Sequence, residues 1–245
     1  MEVWTTIYVI GVIFLATLIR STFGFGEALV AVPLLALRVP VAVAAPLAVM
    51  VSVLVAAVII VQDWRKIHVR SAGGLFASSL PGIPLGLLML KCVDDHRVKL
   101  VLGLIIVVFS IYSLFVGSSL HLENEHPALL LAAGFVSGIL GGAYGMNGPP
   151  LAVYGSLRRW SPQHFRATLQ GYFLPASLAG LTGYLWIGLV TRPVLRDFAL
   201  SLPCALTAVL IGRFLNHRLR GQAFFRAVYA GLVVIGIVLA VQALA

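Results

Sequence analysis

An arginine and a glutamate, Arg20 and Glu27, lie inside an apolar run that extends from about Val3 to Leu37, with Ser21, Thr22, Gly24 and Gly26 between them. Ionisable groups in such a run face the protein interior or a water-filled cavity, pair with each other, and mark a substrate or ion path. The chemistry these residue types allow is anion binding. Arg20 brings a full positive charge, and Ser21 and Thr22 bring hydroxyl donors. Glycines at 24 and 26 let a ligand approach the main chain closely. A helix starting near Glu27 would add unpaired N–H groups and about half a positive charge. Glu27 could also carry a proton, because burial penalises the charged form of a carboxyl group. The plainer account is an ion pair in which Arg20 and Glu27 neutralise each other, and the sequence leaves both accounts open.

A second interruption, Gly-Gly-Ala-Tyr-Gly-Met-Asn-Gly-Pro-Pro at 141–150, has related chemistry. A helix beginning at Pro149 or Pro150 would use proline where it is best tolerated, in the first turn. Its N-terminus, with the turn from Tyr144 through Gly145, Asn147 and Gly148, would face whatever occupies the break, and Asn147 could add an amide donor. No carboxylate stands here, and Gly148 takes the aligned place of Glu27. The competing account is that the glycines only allow close helix packing, as small residues do in membranes.

These groups need elements to hold them. A continuous helix over 3–37 would measure about 52 Å against a hydrocarbon core of about 30 Å, so two short helices with a break are expected. Apolar segments fall at roughly 3–37, 40–62, 71–91, 98–117, 128–157, 168–190, 194–215 and 223–244. The fifth repeats the anomaly of the first. Gly24 aligns with Gly145, Arg38 with Arg159, Arg70 with Arg196, Gly86 with Gly212 and Gly103 with Gly231. The expected fold is an all-α polytopic membrane protein of two homologous repeats of four hydrophobic segments, at 1–117 and 128–245, joined by a loop at 118–127. The first segment of each repeat is broken at membrane depth. Either all eight segments span, or segments one and five are re-entrant hairpins and the repeats are inverted. The distribution of Lys and Arg favours both termini outside in each case and does not separate the two. Segment length and the glycine breaks tip the balance to the hairpins.

Composition narrows the class. The chain has 245 residues, 60% hydrophobic and 10% charged, with mean hydropathy +1.04. No soluble domain of this size is so poor in charge. The net charge of +9 sits in short loops between apolar spans, which is a topogenic pattern and not a nucleic-acid face. The first segment is too long for a signal peptide and lacks a basic leader, so it reads as part of the mature protein. Cys92 and Cys204, and the six histidines, fit no metal or redox spacing, so no metal or other cofactor is expected. Nucleotide-hydrolysis, serine-hydrolase and zinc-protease motifs are absent, and the chain is not expected to be an enzyme. The sixth segment carries Thr168, Gln170, Tyr172 and Ser177; interhelical hydrogen bonds explain each at least as well as a cavity does.

The two breaks, in register, carry a resemblance. Gly24-Phe25-Gly26-Glu27-Ala28-Leu29-Val30-Ala31-Val32-Pro33-Leu34-Leu35 resembles the first-repeat signature of the sulfite exporter (TauE/SafE) family. Residues 141–151 resemble its second-repeat signature, and Phe165-Arg166-Ala167-Thr168 with Tyr172-Phe173 is similar to the stretch that follows. Members often carry more glycines in the second break than stand here, where Tyr144, Met146 and Asn147 are bulkier. The resemblance implies a multi-pass permease of the bacterial inner membrane for small anions such as sulfite, organosulfonates and related sulfur oxyanions. The expected partners are that small anionic solute and the lipid bilayer, with no nucleic acid; a homo-oligomer is left open. The alternative from another class is a membrane-embedded assembly subunit that transports nothing. It gives little reason for polar backbone at the same point of both halves.

Overall fold

The computed structural model describes residues 3–63, 69–115, 127–158, 162–216 and 222–244, and every regular element among them is a helix. In the first half these are α1 (Val3–Phe23), α2 (Glu27–Ala36), α3 (Val41–Asp63), α4 (Val69–Ser79), α5 (Gly82–Cys92) and α6 (Asp95–Phe115). The second half holds α7 (Pro127–Tyr144), α8 (Gly148–Leu157), α9 (Pro162–Trp186), α10 (Arg192–Asn216) and α11 (Gln222–Leu244). Five of the described helices, α1, α3, α6, α7 and α10, are long and apolar enough to cross a membrane, and a sixth span results if α4 and α5 count together. The loop expected at 118–127 lies outside the described residues except for Pro127.

Both expected breaks are present, with a difference in the helices beside them. The first helix of each pair is not short. At 21 residues α1 runs about 32 Å, enough to cross the hydrocarbon alone, and α7 at 18 residues runs about 27 Å. Only α2 and α8, at 10 residues each, are half-length. The helix simply continues further before the left-handed glycine of each break than even division supposes. A third break falls where none is expected. The segment read as 71–91 bends by 44° between α4 and α5, where Pro81 removes a backbone donor from the helix.

Small residues bring several helices close. A Cβ at Gly82 would lie 2.3 Å from the Phe135 carbonyl oxygen, and one at Gly86 would lie 2.1 Å from that of Ile139. Four residues along α5 thus match four along α7, so these helices run parallel. At the α6–α11 seam, Gly103 faces Gly236 and Ala240, while Gly236 faces Gly103 and Val107, so this pair is antiparallel. On the first half's entry helix, a Cβ at Gly212 of α10 would lie 2.5 Å from the Ser21 Cβ and 3.0 Å from the Leu18 carbonyl oxygen. After its break, α2 doubles back along α1, and the Tyr8 hydroxyl donates to the Leu34 carbonyl at 2.6 Å. At the foot of α3, the Asp95 carboxylate accepts from the Val41 N–H at 2.9 Å and pairs with Lys99 at 2.9 Å. Large apolar side chains such as Leu104, Val108, Leu210 and Val241 point outward, as lipid contact requires.

Candidate functional site

The first break is a turn of two left-handed glycines around an aromatic residue. Gly24 has φ 90° and Gly26 φ 99°, conformations that cost an L side chain but not glycine. The Gly24 N–H still bonds the Arg20 carbonyl at 2.6 Å, and α2 starts at Glu27 with Gly26 as its cap residue. The second break repeats the device with one such glycine. Gly145 has φ 65°, and its N–H bonds the Gly141 carbonyl at 2.9 Å. Helix α8 then starts at Gly148, one residue before the expected proline, and Pro149 and Pro150 occupy its first turn.

The two breaks meet. One cavity of ≈ 20 Å³ is lined by the first turn of α2 (Gly26, Glu27, Ala28, Leu29) and by Gly145 to Pro149 at the start of α8. Arg20, Phe25, Ser52 and Phe173 complete the wall. That volume holds about one water molecule. Two helix N-termini face it, and each contributes roughly half a positive charge.

Arg20 and Glu27 form an ion pair with both side chains 2% exposed, as the plainer account of the sequence has it. The pair leaves part of the guanidinium unused. Nη1 donates to Glu27 and also to the Ser52 hydroxyl at 2.5 Å, while Nε and Nη2 are buried without a protein partner. Thr17 donates to the other Glu27 oxygen at 3.1 Å, and Ser177 donates to Ser52 at 3.4 Å. The Phe173 ring lies 5.1 Å from the Arg20 Cζ, within cation–π range. The arrangement is a buried cation, half satisfied, in the wall of a cavity that two helix ends face.

Of the residues singled out in the sequence, Arg20, Gly26, Glu27, Gly145, Asn147 and Gly148 line this cavity. The others stand behind it. Ser21 faces Gly212 on α10, and Thr22 donates to the Leu18 carbonyl one turn back in its own helix at 2.7 Å. Gly24 offers its carbonyl to the Gln170 side-chain amide at 3.0 Å. The Tyr144 ring is fully buried, and its hydroxyl donates to the Val98 carbonyl on α6 at 3.0 Å. Asn147 folds over Gly141, where a Cβ would lie 1.8 Å from its Oδ1.

Ser52, Phe25, Met146 and Phe173 line the cavity without having been named as site residues. Ser52 had a signal, since it is the one hydroxyl residue in the apolar run 41–61. The three apolar residues stand within the family-like stretches, but nothing in an apolar sequence separates a cavity wall from a core. Cys92 is exposed and Cys204 half-buried, and neither is bonded. Among the described residues no three His, Cys, Asp or Glu side chains converge on a metal position.

A sequence model of the family described as Sulfite exporter TauE/SafE matches residues 9–239. A curated relative, the probable sulfite/organosulfonate exporter TauE of Cupriavidus necator, is 24% identical over 154 residues. The alignment covers 62% of this chain and spans 58% of the relative's length. No solved structure matches the chain.

Proposed function

The chain belongs to the sulfite exporter TauE/SafE family, and from that premise we propose that it is a permease for a small anion such as sulfite, an organosulfonate or a related sulfur oxyanion. Transport proceeds by alternating access at the two broken helices. The observation that carries this reading is the free edge of Arg20, with Nε and Nη2 buried and unpartnered beside a cavity that two helix N-termini face. A buried donor without a partner is costly, and an oxyanion accepts from a guanidinium edge and from helix-end N–H groups at once. Glu27 is the candidate proton carrier, released from Arg20 when the anion takes its place.

The contact pattern supports the inverted-repeat form of the architecture, with repeats at 1–117 and 128–245. Moving a residue number by the 121 that relates Gly24 to Gly145 turns Leu18, Ser21 and Thr22 into Ile139, Gly142 and Ala143. The first three surround Gly212 and the second three surround Gly86, its aligned partner. Helices α6 and α11, which correspond in the two halves, run antiparallel. A two-fold axis relating them then lies in the membrane plane, so α2 and α8 approach the midplane from opposite faces, as in secondary transporters. On this reading the positive-inside rule favours both termini in the periplasm of a bacterial inner membrane.

Sulfite exchange by the purified chain in liposomes, compared with Arg20→Lys, tests the reading. Lysine retains a charge to pair with Glu27 but lacks the forked edge. Wild-type exchange and at least about tenfold weaker sulfite dependence in a folded Arg20→Lys variant are expected for a lost bidentate contact. No exchange of sulfite or small organosulfonates, or an unaltered variant, sinks it.

A further inference from the structure

We propose that Gln170 is a positioning residue of this site: from α9 its carboxamide holds the Gly24 carbonyl, and so fixes the turn that aims the α2 N-terminus into the cavity. The proposal rests on reading the cavity as the anion site. Gln170 is 7% exposed, its Nε2 lies 3.0 Å from the Gly24 oxygen, and it does not line the cavity itself.

The turn needs an external hold. Its two glycines at φ 90° and 99° have many alternatives open to them, and no side chain of their own narrows the choice. The Gly24 N–H and the Gly26 carbonyl are used inside the flanking helices, by Arg20 and Val30 respectively. The Gly24 carbonyl is therefore one point where the rest of the protein grips the turn, beside the packing of Phe25. Three residues further along α9, on the same face, Phe173 lies against the Arg20 guanidinium. The stretch of α9 that sets the turn therefore also sets the cation.

The second break is tied to the same stretch at one remove. Ser137 donates to the Asn147 carbonyl at 2.6 Å and bonds the Tyr172 hydroxyl at 2.9 Å. One carbonyl of each break is thus anchored on α9 within three residues, directly at Gln170 and through Ser137 at Tyr172. A shift of α9 moves both helix ends together.

The test uses the full chain with Gln170→Met, which keeps length and loses the donor, and Gln170→Asn, which keeps the donor and falls short of Gly24. Amide hydrogen exchange is measured without ligand, and half-saturating sulfite and maximal rate are measured in liposomes. In both variants exchange over 23–30 should rise about tenfold, as loss of one hydrogen bond allows, and exchange over 144–151 should not. Half-saturating sulfite should rise about as much, with the maximal rate and melting temperature little changed. Either folded variant with wild-type exchange over 23–30 overturns the proposal. So does raised exchange with unaltered sulfite dependence. A wild type that moves no sulfite overturns the anion reading, while the ligand-free exchange still decides whether Gln170 holds the turn. If Gln170→Met fails to fold, Gln170→Asn decides alone.

Discussion

Gly145 and Gly148 stand three residues apart in one break, and a methyl group on each should have opposite consequences. Gly145 has φ 65°, and its Cβ would lie 2.6 Å from Val49 Cγ2, so Gly145→Ala adds backbone strain to a clash. A loss of about 1–3 kcal/mol is expected, seen as a lower melting temperature with or without sulfite. At Gly148 the backbone is helical, and a Cβ would sit 3.9 Å from both Phe25 and Phe173, ordinary contact distance. It would stand in the cavity. Gly148→Ala should melt within about 1 kcal/mol of the wild type and lose sulfite-induced thermal protection. Normal stability with undiminished protection would show that the cavity is not where the anion sits. The sequence marks both residues as glycines of a break, but their difference depends on φ and on a neighbour about a hundred residues away. Ser52 is the opposite case, a lone hydroxyl that could have been read as a partner for Arg20.

Helices α5 and α7 depend on small residues along their whole contact. A Cβ on Gly86 would lie 2.1 Å from the Ile139 carbonyl oxygen and 2.6 Å from the Ala143 nitrogen, both backbone atoms of a packed helix. Gly86→Ala should therefore cost about 1–3 kcal/mol, because the helices must separate. Gly180 in α9 is the control, since nothing lies within 4 Å of its Cβ position. Gly180→Ala should be neutral or stabilising by up to about 1 kcal/mol, through helix propensity alone. Urea unfolding in detergent compares them, and equal midpoints would refute close packing at this seam. Gly134, Gly138 and Gly142 recur every four residues, so the seam was legible on the α7 side. The α4–α5 bend was not, because a proline inside an apolar segment fits either a kink or a straight helix held by its neighbours. The length of α1 was equally hidden, since hydropathy says where a run ends but not where its helix does.

For the molecule as a whole, the doubling back of α2 along α1 decides which face the central loop occupies. On the proposed inverted arrangement, with one return in the first half, residues 118–127 are expected on the face opposite the N-terminus, inside. Ser118→Cys or Asn124→Cys, in a chain without its native cysteines, should resist a membrane-impermeant reagent in intact cells and react once the cells are opened. Labelling from outside would end the inverted arrangement. The all-helical, apolar character of the chain and its two glycine breaks were readable from the sequence. Orientation was not, because the charged loops satisfy the positive-inside rule in both arrangements; the antiparallel seam at Gly103 and Gly236 supports the inverted one proposed above.

The Arg20–Glu27 pair has no counterpart at the second break, where Gly148 holds the place of Glu27. In a carrier of two interchangeable halves, exchanging their conformations would give inward- and outward-open forms of equal energy. Here the exchange changes the surroundings of a buried ion pair, so one form is preferred at rest. Seen as a circuit element, a carrier working by the proposed alternating access would be kinetically lopsided: half-saturating sulfite should differ between right-side-out and inside-out vesicles. Detailed balance still requires the ratio of maximal rate to half-saturation to be equal in both directions at zero driving force. In the proposed carrier this asymmetry would set how readily each face loads, and only the gradients across the membrane would set the direction of net flow.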